Sequence, residues 1–115
     1  MASIVVTGAS TGIGYGCVEE LTSAGFHVYA TVRKPADAER LTQQFGDKVT
    51  PLMLDVTDPA SVKAAAEQVA VASQGEPLAG LVNNAGVAVA GPLLHLPVEE
   101  FRQQIEVNLI GVLTV

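Results

Sequence analysis

Thr7-Gly8-Ala9-Ser10-Thr11-Gly12-Ile13-Gly14 lies between two segments of different periodicity. Before it, Ser3-Ile4-Val5-Val6 is short, apolar and β-branched, the pattern of a parallel strand buried on both faces. After it, Ile13, Cys17 and Leu21 recur at helical spacing, and Gly25 supplies a helix stop. The order is strand, glycine turn, helix. Glycines in such a turn permit a tight reversal, let backbone approach a pyrophosphate and let the helix pack close to the sheet. The helix N-terminus offers free N–H groups and a partial positive charge to phosphates. A glycine-rich turn without a ligand is the plainer reading, so the rest of the chain has to decide.

The same alternation continues to the end. His27-Val28-Tyr29-Ala30-Thr31-Val32 reads as a second strand, and Pro35 to Phe45 as a helix. Pro51-Leu52-Met53-Leu54 reads as a third strand. A helix from Pro59 to about Ala72 follows, with Asp58 as N-cap and Val62, Ala66 and Val69 on its inner face. The apolar run Leu78 to Val82 gives a fourth strand. A last helix begins near Pro97, with Phe101, Ile105, Leu109 and Val112 as its apolar stripe. Right-handed crossovers make this a doubly wound α/β fold of Rossmann type. Its parallel sheet has four strands in the order 3-2-1-4, with helices on both sides and a switch point between strands one and four.

Three further groups fall where ligands of such sheets bind, at the carboxyl ends of strands. Asp55, followed by Val56, ends the third strand, although Asp58-Pro59 just beyond makes a plain turn an alternative. Asn83-Asn84-Ala85-Gly86 ends the fourth, where an ordinary Asn-Gly turn is the alternative. Asn108 lies beside the apolar stripe of the last helix. A buried amide without partners costs roughly 1–3 kcal/mol, so it should have a dedicated partner.

The turn spacing is Gly-x-x-x-Gly-x-Gly rather than the common Gly-x-Gly-x-x-Gly. With Thr7, Asp55, the Asn-Asn-Ala-Gly run and Asn108, it resembles the short-chain dehydrogenase/reductase family over essentially the whole chain. The resemblance implies an NAD(P)-binding Rossmann domain over residues 1–115, and hydride transfer between a nicotinamide and an alcohol/carbonyl substrate. It implies that Gly8, Ser10, Gly12, Ile13 and Gly14 hold the pyrophosphate side. Asp55 and Val56 would receive the adenine. Asn83, Ala85 and Gly86 would line the ribose, with the asparagines bonding across the sheet. Asn108 would hold a water of the catalytic proton relay. The family's chemistry also needs a serine and a Tyr-x-x-x-Lys pair some tens of residues after that asparagine. The tyrosines here are Tyr15 and Tyr29, and the residues four places on are Glu19 and Arg33. The expectation is a cofactor-binding N-terminal portion with the catalytic C-terminal portion absent. A catalytically inactive dinucleotide-binding or interaction module is the alternative.

The choice of cofactor rests on the end of the second strand. An acid about 20 residues past the turn binds the ribose 2′-hydroxyl of NAD, whereas an arginine accommodates the 2′-phosphate of NADP. No Asp or Glu occurs between Glu20 and Asp37, and the strand runs into Arg33-Lys34. A forked guanidinium on a phosphate contributes about 1.5–3 kcal/mol, roughly one to two decades of affinity. NADP is therefore expected over NAD, with Arg33 the main determinant and Lys34 a helper.

Composition sets bounds. The chain has 115 residues, 49% of them hydrophobic, and a net charge of −6. That charge disfavours nucleic acid and anionic membranes as partners. No apolar run reaches the roughly 18 residues of a membrane span. One cysteine permits no internal disulfide, and Cys17 reads as a packing residue. With the first strand starting at residue 3, a cytoplasmic protein is expected. His27 reads as structural and His95 as a loop residue, and no His/Cys/Asp group has metal-ligand spacing. Leu109, Val112, Leu113 and Val115 are expected to be exposed, which points to a homo-oligomer.

Overall fold

The computed structural model describes residues 2–115. Strand β1 (Ser3–Val6) leads through the glycine turn to helix α1 (Gly12–Ser23). Strand β2 (His27–Val32), helix α2 (Pro35–Phe45), strand β3 (Val49–Met53) and helix α3 (Pro59–Ala72) follow. Strand β4 (Gly80–Val82) and an irregular stretch lead to helix α4 (Val98–Ile105). A π-helical turn (Glu106–Ile110) then joins α4 to a last helical turn, α5 (Gly111–Thr114). The sheet is parallel, in the order β3-β2-β1-β4.

Strand alternation divides the core in two. Ile4 and Val6 of β1, with Val28, Ala30 and Val32 of β2, pack under α1 and α2 against Val18 and Leu41. Val5, Tyr29, Leu52 and Leu54 point to the other face, against Ala65 and Val69 of α3 and Val107. With helices on both faces, the strands are rich in apolar residues on both sides, as Ile4, Val5 and Val6 of β1 and Val28, Tyr29 and Ala30 of β2 are. The register Ile4↔Val28, Val5↔Tyr29, Val6↔Ala30 holds the ends of β1 and β2 level. Both loops after these strands therefore open at one edge.

Pro51 lies inside β3 opposite Ala30, which an edge strand tolerates. β3 begins at Val49, ahead of the apolar run that marks it in sequence, because Val49 already pairs with Val28. On α3 the Asp58 side chain accepts a hydrogen bond from the Ala60 N–H, as an N-cap should. Its inner face uses Ala65 and Val69, and Ala66 is exposed.

Two helical stripes differ from expectation. In α1 the fully buried residues are Gly14, Val18 and Thr22, and Cys17 and Leu21 of the expected stripe are partly buried against the same core. Ile13 is 80% exposed, because the glycine turn sets the first helical turn at the open end of the sheet. In the last helix Phe101, Ile105, Leu109 and Val112 are between 40% and 62% exposed. The π turn adds a residue to the helical repeat, and Val107 and Gly111 meet the sheet instead. Gly111 is needed there, since a Cβ would lie 2.7 Å from Val56 Cγ2. Val115 is half-buried and packs against the second core cluster, contrary to its expected exposure. Among the described residues no helix is long and apolar enough to cross a membrane.

Candidate functional site

The glycine turn is held from two strands. The Ala9 N–H donates to the Thr31 carbonyl at 3.0 Å, and the Gly8 N–H to Thr31 Oγ1 at 3.4 Å. From just beyond β4, Asn84 Nδ2 donates to the carbonyls of Thr7 and Gly8, both at 3.1 Å. Thr7 Oγ1 accepts the N–H groups of Asn84 and Ala85, both at 3.0 Å, and lies 3.4 Å from the Val82 carbonyl. One buried hydroxyl thus joins β1, β4 and the turn. Gly14 completes the packing, since a Cβ there would fall on the Gly8 carbonyl and 2.5 Å from Asn84 Nδ2.

Beyond this packed edge lies a cleft of about 350 Å³. Gly8, Ser10, Thr11 and Ile13 of the turn form one wall. Thr31 and Val32 of β2, Arg33 just after it, and Leu54, Asp55 and Val56 after β3 form the next. Asn84 to Val87 close the β4 side, with Gln103 and Val107 from the last helix. The first turn of α1 has no side-chain cap and no acidic residue. Its N–H groups are therefore available to an anion, with the helix dipole behind them. Gly12, at φ +63°, has open space where a Cβ would project, so backbone conformation rather than crowding demands glycine there.

Asp55 Oδ1 accepts from Thr57 Oγ1 at 2.7 Å and from the Thr57 N–H at 2.9 Å. These two bonds hold its carboxyl below the usual aspartate range, and the nearby Arg33 charge acts in the same direction. The residue is both the turn-former of the plain reading and part of the cleft wall.

Eight of the expected site residues meet on this cleft: Gly8, Ser10, Ile13, Arg33, Asp55, Val56, Ala85 and Gly86. Gly12 and Gly14 shape the turn without lining it. Lys34 is the exposed N-cap position of α2, off the cleft lining. Asn83 is exposed and off the lining, so only Asn84 of the two asparagines bonds across the sheet. Asn108 is exposed rather than buried, yet it has its dedicated partner. Its Oδ1 accepts the Val87 N–H at 2.8 Å and its Nδ2 donates to the Val87 carbonyl at 2.7 Å.

Sequence reasoning missed Thr31, Gln103 and Arg40. Thr31 has a readable signal, being two residues before Arg33 at the carboxyl end of β2. Gln103 has none. Arg40, on α2, reaches the Ser10 carbonyl of the turn. His27 bonds Thr50 Oγ1 at 2.8 Å, at the opposite end of the sheet, and His95 is exposed in a short turn.

The family model described as short chain dehydrogenase matches residues 2–115. The chain belongs to the short-chain dehydrogenase family. It is 41% identical over 111 residues to the NADPH-dependent 3-dehydrocapnine reductase of Ornithobacterium rhinotracheale, covering 96% of this chain and 39% of that one. It is 37% identical over 111 residues to human retinol dehydrogenase 5, covering 96% and 35%. Its backbone matches the NADPH-bound carbonyl reductase from chicken fatty liver with a TM-score of 0.89 at 34% identity, covering 99% of this chain and 48% of that one. The chain thus spans about two-fifths of the length of these curated short-chain dehydrogenases. The family is one of oxidoreductases that use NAD(P) and act on small molecules.

The donor set of the cleft fits such a dinucleotide. Uncapped N–H groups suit a pyrophosphate. Arg33 suits a further phosphate, and an ionised carboxylate suits an amino donor.

Proposed function

We propose that residues 1–115 are the cofactor-binding part of an NADP(H)-dependent oxidoreductase acting on an alcohol/carbonyl pair. The observation that carries this reading is Arg33 on the wall of a cleft that also holds the acid-free N-terminus of α1. The NADPH-dependent relative and the NADPH-bound structural neighbour support it. Gly8, Ser10, Ile13 and the turn shaped by Gly12 and Gly14 hold the pyrophosphate. Arg33 forks onto the 2′-phosphate, with Lys34 adding charge from outside the cleft. Asp55 accepts from the adenine amino group while Val56 supports the ring. Ala85 and Gly86 lie along the ribose, and Asn83 acts there through backbone. Asn108 fixes the Val87 backbone and belongs to the proton relay. Bound in this cleft, the nicotinamide supplies a hydride to a carbonyl or takes one from an alcohol. The apolar face of α4 supports self-association.

The test is paired. Titration with NADP⁺ and NAD⁺ should show tighter binding of NADP⁺. Arg33→Ala should lower the NADP⁺ affinity roughly ten- to a hundredfold while leaving NAD⁺ nearly unchanged. Equal affinities for the two in the parent protein would refute the assignment. NADPH oxidation with a panel of aldehydes and ketones tests the reaction class.

A second reading, dinucleotide binding without turnover by these residues alone, is favoured by the tyrosines. Tyr15 packs on Phe45 and Tyr29 is 3% exposed within the sheet, and neither lines the cleft. Tight binding with no NADPH oxidation would establish it.

A further inference from the structure

Along the glycine turn, the sheet supplies partners only as far as Ala9. Thr7 and Gly8 are held by Asn84, and Gly8 and Ala9 by Thr31. Ser10 is the first residue beyond that support. Its carbonyl accepts a hydrogen bond from Arg40 Nη2, thirty residues away on α2. The same nitrogen lies 3.3 Å from Asp37 Oδ1, one helical turn earlier. Asp37 thereby steers the guanidinium and offsets part of its charge.

A trans peptide is planar, so its C=O and N–H point in opposite directions. Holding the Ser10 carbonyl toward α2 turns the Thr11 N–H to the other side. Thr11 and Ser10 both line the cleft, and the next residue is Gly12 at φ +63°. The peptide that Arg40 fixes is therefore the one that leads into the anion-binding end of α1.

We propose that Arg40 is a positioning residue for the phosphate turn. It orients the Ser10–Thr11 peptide for a diphosphate common to both dinucleotides, whereas Arg33 discriminates between them. This rests on the reading of the cleft as a dinucleotide site. It deepens that reading by separating affinity from selectivity on two arginines seven residues apart.

The test uses Arg40→Met, which keeps the aliphatic stem but has no donor, and Arg40→Lys, which keeps one. Arg40 is half exposed on a surface helix, so the variants should fold. Affinities for NADP⁺ and NAD⁺ are measured by calorimetry beside Arg33→Ala. Arg40→Met should weaken both dinucleotides about three- to tenfold, leaving their ratio unchanged, and Arg40→Lys should fall between. In the unliganded protein the Thr11 and Gly12 amide NMR signals should shift while those of Thr22 and Ser23 stay. Loss confined to NADP⁺ would make Arg40 a 2′-phosphate contact and overturn the proposal. So would unchanged affinity for both with the parent binding normally, which leaves the dinucleotide reading intact. A parent protein that binds neither dinucleotide overturns both.

Discussion

Thr7 illustrates how much one side chain organises. It is 1% exposed, and its hydroxyl is the acceptor for two backbone N–H groups of the Asn84–Ala85 segment. Thr7→Val keeps the shape, leaves the Ala85 N–H unpaired and the Asn84 N–H with only the Val82 carbonyl at 3.1 Å, at a cost of about 1–3 kcal/mol. Thr7→Ser retains the oxygen and should cost less; urea unfolding of the two variants measures the difference. Asp55 makes a pH prediction. Its folded carboxyl is held below its ordinary pKa, chiefly by Thr57. Its contribution to stability is therefore complete above the unfolded value of about 3.9 and is lost as pH falls through the lower folded value. Asp55→Asn should flatten the acid limb of a stability–pH curve. An unchanged limb would show that Thr57 does not hold the carboxylate. Thr7 is visible in the sequence as part of a motif, but its role as a hub is not. That role depends on β4 lying beside β1, 75 residues away in the chain.

At the scale of elements, β1 and β2 are legible in the sequence, because their apolar residues are bounded by Gly or charge, and α2 is legible in outline from Pro35 at its start and Gly46 after its end. The last helix is not. Its apolar residues occur on more than one side, so a regular repeat selects the wrong stripe, and a π turn is invisible to a pattern of fixed period. Along α1, a methyl on Gly14 would meet backbone at once, whereas one on Gly16 would meet nothing within 4 Å. Gly14→Ala should therefore destabilise by about 1–3 kcal/mol or more and disturb the turn. Gly16→Ala should stabilise by about 0.5–1 kcal/mol, since alanine is the better helix former. Thermal unfolding of the two single variants gives the comparison. Destabilisation of equal size at both sites would mean that helix propensity, not the contact with the turn, governs α1.

For the whole molecule, the radius of gyration of 15.0 Å exceeds the roughly 13 Å of a compact chain of this length. The longest dimension is 50 Å against 25 and 23 Å for the others. α4 and its continuation carry Phe101, Leu109 and Leu113 on exposed surface. Sedimentation should show concentration-dependent association that Leu113→Glu weakens, and a clean monomer at high concentration would count against it. The cofactor cleft needs none of that surface. The most direct test of its assignment is thermal unfolding of the protein alone and with NADP⁺ or NAD⁺. A ligand that binds only the folded state stabilises it by about 2.7 kcal/mol at about 100 times its Kd. A cooperative transition raised more by NADP⁺ than by NAD⁺ at equal concentration is the expected result. A transition that neither dinucleotide moves, or that NAD⁺ moves as much, would contradict it.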